Sequence, residues 1–244
     1  MNPRVLIVQN EETDPPALVA QWLTAAGLDL DVVKGYNGEQ IPTSVPVGVA
    51  GVIALGGYMS ANDDDDHPWL TDERSLLKDV VANDIPFFGI CLGGQMLATA
   101  VGGVVEKSPN KEIGISHFVV DSSMADDEVF APLAGKEVIA AQWHVDYISD
   151  LPEDVHVFAG NDVCPVQAYK VGNNVYGAQF HPEIDEEVFG WWIDESVEYL
   201  AGVGMDPVAL AQDISDSAET LVTTWKPVFE NWARLVKAQQ AQGL

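Results

Sequence analysis

The chain has 244 residues, 47% of them hydrophobic and 20% charged, proportions that suit a globular protein with one substantial core. Against 38 acidic residues stand only 11 basic ones, a formal net charge of −27, and no Lys/Arg cluster exists to neutralise a phosphate backbone, so nucleic-acid binding is disfavoured. No apolar stretch reaches the roughly 18 residues of a membrane span, and the first residues enter a strand without a leader-like apolar region, so a cytoplasmic protein without membrane partners is expected.

Apolar runs of strand length recur along the chain: Val5–Val8, Val49–Leu55, Pro86–Ile90, Phe118–Val120, Val138–Ala140, Val155–Phe158, Val166–Tyr169 and Val175–Phe180. In the first half they alternate with helical patterns. One helix is predicted over residues 15–26, with Pro15 and Pro16 near its first turn and Gly27 as C-cap. Another is predicted over 68–82, with Thr71 as N-cap and Arg74 or Lys78 on the wet face. Fully apolar strands followed by helices indicate a parallel sheet covered on both faces. Closer strand spacing in the second half indicates an antiparallel extension. After Glu183 the pattern turns helical: Phe189, Trp192, Ile193, Val197 and Leu200 form one apolar stripe, and Leu221, Trp225, Phe229, Trp232 and Leu235 a second. Stripes at this spacing pack into a core by default. The expected organisation is a domain over residues 1–185 with helices over 186–244 packing on it.

Residues 86–97 hold the strongest chemical signal. Cys91 sits between Gly89 and Gly93, where a strand is expected to turn sharply into a helix. Gly-x-Cys-x-Gly is the sulfur counterpart of the nucleophile elbow, in which small residues on either side let strand and helix close around a strained nucleophile. A helix start favours a thiolate, because its free N–H groups and dipole attract negative charge. A buried cysteine is ordinarily inert packing; the glycine frame sets this one apart.

Further on comes Tyr176-Gly-Ala-Gln-Phe-His-Pro-Glu183, which places His181 ninety residues after Cys91. Pro182 biases His181 toward an extended backbone, where residues i and i+2 share a side, so His181 and Glu183 are suited to act as base and orienting carboxylate. A third element, Val52 to Met59, is a buried strand ending in Gly56-Gly57. Backbone N–H groups there and at Leu92, directly after the cysteine, are placed to meet a developing oxyanion.

These elements in this order, Leu55-Gly-Gly-Tyr-Met, Gly89-Ile-Cys-Leu-Gly-Gly-Gln and Gln179-Phe-His-Pro-Glu, resemble the class I (triad) glutamine amidotransferases over about residues 1–185. The sequence looks most like stand-alone relatives of the GMP synthetase amidotransferase domain, on account of Asp65-Asp-His-Pro-Trp-Leu and of Lys111-Glu-Ile-Gly followed by Gln142-Trp-His. The resemblance implies a flavodoxin-like three-layer α/β fold with a mostly parallel central sheet, and hydrolysis of the γ-amide of glutamine through a γ-glutamyl thioester. It casts Cys91 as nucleophile, His181 as proton carrier and Glu183 as its orienting acid. Gly57 and Leu92 would supply oxyanion N–H groups; Gln95 and the segment around His144 would hold the substrate. Val145 departs from the family pattern, in which the residue after that histidine is commonly small; either its backbone is ordinary or the pocket is reshaped. No cofactor or metal is implied. No ATP-using synthetase domain is expected within this length, so a synthetase subunit is the partner to expect if ammonia is passed on. The runner-up is a γ-glutamyl peptidase acting on peptides or conjugates, and the non-enzyme alternative is a binding or regulatory protein.

The run Asp63–Asp66 reads as an exposed acidic loop rather than a hard-metal site, because consecutive acids point in different directions. His117, His156 and Cys164 read as packing or surface residues. Cys91 and Cys164, with no secretion signal, are poor evidence for a disulfide.

Overall fold

The computed structural model describes residues 2–241; Met1 and residues 242–244, the outer ends of the two expected segments, lie outside the described residues. The strands are β1 (Arg4–Gln9), β2 (Asp29–Lys34), β3 (Val49–Ala54), β4 (Phe87–Ile90), β5 (Val104–Val120), β6 (Glu137–Asp150), β7 (His156–Gly160), β8 (Ala168–Val171) and β9 (Val175–Ala178). They form a nine-stranded sheet in the order β2-β1-β3-β4-β9-β8-β7-β5-β6. Pairing is parallel from β2 through β9 and antiparallel from β9 through β8, β7, β5 and β6.

Successive residues of β1 show why both faces are covered. Val5 and Ile7 enter one cluster with Trp22, Phe88 and Trp225, whereas Leu6 and Val8 enter another with Leu77, Phe87 and Met96. The first cluster lies under α1 (Ala17–Ala25) and the long α6 (Pro207–Ala241); the second lies under α2 (Trp69–Ala82) and α3 (Leu92–Ala100). The sheet is therefore the middle layer of three, as the fully apolar strands implied.

Several elements differ from expectation. The edge strand β2 was not expected; Asp29, Asp31 and Lys34 break its apolar run, as suits an exposed edge. β5 and β6 extend well beyond Phe118–Val120 and Val138–Ala140, because their outer parts pair in a half-exposed hairpin where polar residues replace apolar ones. Thr71 does not cap α2. The helix starts at Trp69 with Pro68 (φ −62°) as its entry residue, while the Thr71 hydroxyl donates to Asp64 at 3.0 Å. Of the two residues expected on the wet face, Lys78 is exposed, whereas Arg74 is only part-exposed: it pairs with Asp64 at 2.6 Å and donates to the Ala61 carbonyl. The acidic loop is thus partly tied down by α2, and Asp63 caps the Ser60 N–H at 2.8 Å. Gly27 closes α1 at φ 80°, one residue beyond its cap.

The first helical stripe divides between α4 (Glu186–Glu195) and α5 (Val197–Gly202), and the break at Ser196 leaves Val197 exposed. Every residue of the second stripe is buried along α6. Cys164 is buried, and His117 and His156 are exposed. No described helix is long and apolar enough to cross a membrane.

Candidate active site

Between the end of β4 and the start of α3 a single residue, Cys91, turns the chain. It does so at φ 49° and ψ −106°, a conformation that costs a residue with a Cβ roughly 1–3 kcal/mol. Its neighbours hold it there. The Cys91 N–H donates to the Ala178 carbonyl of β9 at 2.8 Å, and the Gly93 N–H to the Leu55 carbonyl beyond β3 at 3.1 Å. The glycines are needed for close approach: a Cβ on Gly89 would stand 2.6 Å from the Gly93 carbonyl oxygen, and one on Gly93 would overlap the Ala54 carbonyl. Leu92 is the first residue of α3, so its N–H has no partner within the helix. Gly57 lies against it, since a Cβ there would come 3.1 Å from the Leu92 side chain.

His181 follows β9, the neighbour of β4, and its N–H donates to the Ala141 carbonyl of β6 at 2.9 Å. That isolated bridge keeps the segment extended, and Nδ1 of His181 meets Oε1 of Glu183 at 2.7 Å. Both side chains are almost wholly buried. Burial alone would lower the His181 pKa, but the charges of Glu183 and Cys91 outweigh it and hold the ring well above its usual value. Trp192 of α4 packs its ring against the imidazole, centroids 4.7 Å apart. This tryptophan, expected as core, is also a wall of the site.

Asp14, in the turn between β1 and α1, has one carboxylate oxygen within 4.8 Å of both His181 and Glu183. Burial pushes it up to about 8; the positive ring of His181 opposes this and Glu183 reinforces it. Neither Oδ1 of Asp14 nor Oε2 of Glu183 has a hydrogen-bond partner.

Two cavities meet at Cys91. One, of about 320 Å³, is lined by His181, Asp14, Glu11, Trp143, Trp192 and Glu195; the other, of about 410 Å³, by Gln95, His144, Val145, Asp146 and Lys107. Gly57, Tyr58 and Trp143 border both. Gln95 donates to the Asp146 carbonyl at 3.1 Å and to Gln179 at 3.2 Å, and Gln179 in turn reaches the Cys91 sulfur at 3.7 Å. His144 is clamped between the Asp146 carbonyl (2.9 Å) and Glu112 (3.2 Å), and Glu112 also accepts from Asn161 and Gln167, both at 2.7 Å. Val145 lies within β6 and is not among the described residues with positive φ, so its β-branched side chain sits on an ordinary strand backbone.

Among the described residues, two groups bring metal-ligating atoms within 4.8 Å of one another: Glu112 with His144 and Cys164, and Asp14 with His181 and Glu183. In the first, His144 and Glu112 are committed to hydrogen bonds, and burial pushes the Cys164 thiol up to about 12, away from the thiolate a metal prefers. Asp14, Glu112 and Trp192 received no site role from sequence reasoning; Lys111-Glu-Ile-Gly contains Glu112, but no spacing ties it to His144.

Cys91, His181, Asp14 and the Gly56-Gly57 turn all lie just beyond the C-terminal ends of parallel strands, the crevice where open α/β sheets bind ligands. Fold and site together define a flavodoxin-like α/β protein with a cysteine at its strand-to-helix elbow. The family model of glutamine amidotransferase class-I matches residues 17–191, and the chain belongs to that family.

A glutamine-hydrolyzing GMP synthase of Clostridium perfringens is 31% identical over 175 residues, covering 71% of this chain but 32% of that protein. The A component of the glutamine-hydrolyzing GMP synthase of Methanobrevibacter smithii, a separate subunit, is 37% identical over 115 residues, 46% of this chain and 58% of that one. The chain thus spans about a third to three-fifths of these relatives' lengths. A crystal structure of a glutamine amidotransferase from Thermotoga maritima superposes with a TM-score of 0.85 at 26% identity, covering 96% of this chain and 99% of that one.

Proposed function

We propose that the protein hydrolyses the γ-amide bond of a γ-glutamyl compound, with Cys91 as nucleophile. The observation that carries this reading is the shared cavity of Cys91 and His181, with the imidazole fixed by Glu183 at 2.7 Å. The Cys91 sulfur attacks the amide carbon, and the N–H groups of Leu92 and Gly57 receive the charge that develops on its oxygen. His181, held protonated by its neighbours, passes a proton to the departing nitrogen as the C–N bond breaks. The neutral ring then takes a proton from water as it attacks the thioester, and glutamate leaves as the C–S bond breaks. Glu183 keeps the ring in register through both halves. Gln95 and His144, together with Val145, line the cavity that would take the glutamyl group.

The names of the GMP synthase relatives support glutamine as one acyl donor and a partner that carries the synthetase activity. Cys91→Ser is expected to abolish glutamate release, by at least about a thousandfold in kcat, while thermal unfolding stays cooperative. Undiminished turnover in that variant removes Cys91 from the mechanism. A diazoketone analogue of glutamine is expected to label Cys91, which a purely regulatory protein would not require.

A further inference from the structure

From the cavity on the His181 side of Cys91 we infer that the leaving group is a cationic amine, so that the preferred substrate is a γ-glutamyl amide of a diamine or polyamine rather than glutamine itself. This rests on the acyl-transfer reading above and extends it to the other half of the scissile bond. If Gln95 and His144 face the glutamyl group, the departing nitrogen lies toward the ring that protonates it, in the other cavity that borders Cys91.

Ammonia is no larger than a water molecule, which occupies about 30 Å³. The cavity on that side measures about 320 Å³. Its walls are acidic and aromatic: Glu11, Asp14 and Glu195 with Tyr58, Trp143 and Trp192, and neither lysine nor arginine is among them. Burial pushes the Glu11 carboxyl above its usual range, and the charges of Glu195 and Glu12 push the same way. The cation in this cavity, the His181 ring, is already engaged by Glu183 at 2.7 Å, so Glu11 and Glu195 repel one another with no lysine or arginine there to offset them. Asp14, only 3% exposed, lines the same space and leaves its Oδ1 without a partner. A buried acceptor lacking a donor, two acids lacking a cation, and aromatic rings that attract ammonium groups all call for the same chemistry. A γ-glutamyl amino acid fits poorly here, because its departing half carries a carboxylate that would meet Glu11 and Glu195 with no lysine or arginine to receive it.

The reaction needs no further reagent. The C–N bond breaks as the C–S bond forms, the amine leaves with the proton from His181, and water replaces sulfur to give glutamate.

The test uses the whole chain and four substrates: the γ-glutamyl monoamide of 1,4-diaminobutane, the uncharged γ-glutamyl butylamide, glutamine and γ-glutamylglycine, with glutamate release as readout. The diamine amide is expected to exceed each of the others in kcat/KM by about tenfold or more. In a Glu11→Gln, Glu195→Gln double variant, its advantage over the butylamide is expected to collapse toward one, chiefly through KM. A diamine amide turned over no faster than the butylamide or glutamine, or not at all, overturns the inference, as does an advantage that survives the double substitution. Labelling of Cys91 by the diazoketone analogue then separates the two failures: with an adduct the γ-glutamyl reading stands and only the amine preference falls, and without one both fall.

Discussion

Glu73 shows how a single buried acid can support the site from a distance. It is fully buried on α2, accepts from Asn10 at 3.5 Å, and leaves Oε2 without a partner. Asn10 in turn donates to the Leu55 carbonyl at 3.2 Å, just before Gly56-Gly57. Burial pushes Glu73 up to about 8, against smaller opposing effects of Asn10 and Arg74. The folded chain therefore keeps a proton that the unfolded chain releases above its ordinary value of 4.5, and stability falls as pH rises from there to about 8. Glu73→Gln removes that dependence. Urea unfolding is expected to show little change at pH 5 and a gain of about 1–3 kcal/mol at pH 8 relative to the parent. Equal effects at both pH values would mean that Glu73 is ionised in the fold. Glu73 and Asp14 were not legible as buried acids, since nothing near them in sequence shows which long-range closure buries them. Cys91, His181 and Glu183 were legible as a candidate constellation because each sits in a short word whose glycines or proline dictate the local backbone.

At the scale of elements, α6 does more than cover the sheet. Trp225 donates from its indole to the Ile139 carbonyl of β6 at 3.1 Å and packs on Phe180, centroids 4.4 Å apart, one residue before His181. Asn231 likewise donates to the Val129 carbonyl at 3.2 Å. The helix runs through Pro227, whose missing N–H removes one helical hydrogen bond, so tertiary packing has to hold the segment together. Trp225→Ala is expected to cost about 3–5 kcal/mol in chemical denaturation, the range for removing a buried aromatic. A loss under about 1 kcal/mol would show that α6 contributes little to the core. The apolar stripe of α6 was legible because burial there is one-sided and follows the helical period. β2 and the outer β5–β6 hairpin were not, because half-exposed strands mix polar residues into the run and are fixed by pairing partners far along the chain.

At the scale of the whole molecule, charge dominates. A formal net charge of −27 is offset by few ion pairs: among the described residues the Lys/Arg bridges are Arg4–Asp31, Arg74–Asp64, Lys170–Asp127 and Lys226–Glu230. Self-repulsion of the surface acids thus outweighs what screening would take from those pairs. Tm is expected to rise steadily as sodium chloride is raised to about 1 M, and a falling Tm would mean that attractive pairs control stability.

The two cavities meet at one sulfur but differ in most of their lining. Under the proposed chemistry, the first product can depart and water arrive by one door while the acyl half remains parked behind the other. That layout imposes a double-displacement order on the kinetics, with the released amine competing for the space that hydrolytic water must occupy.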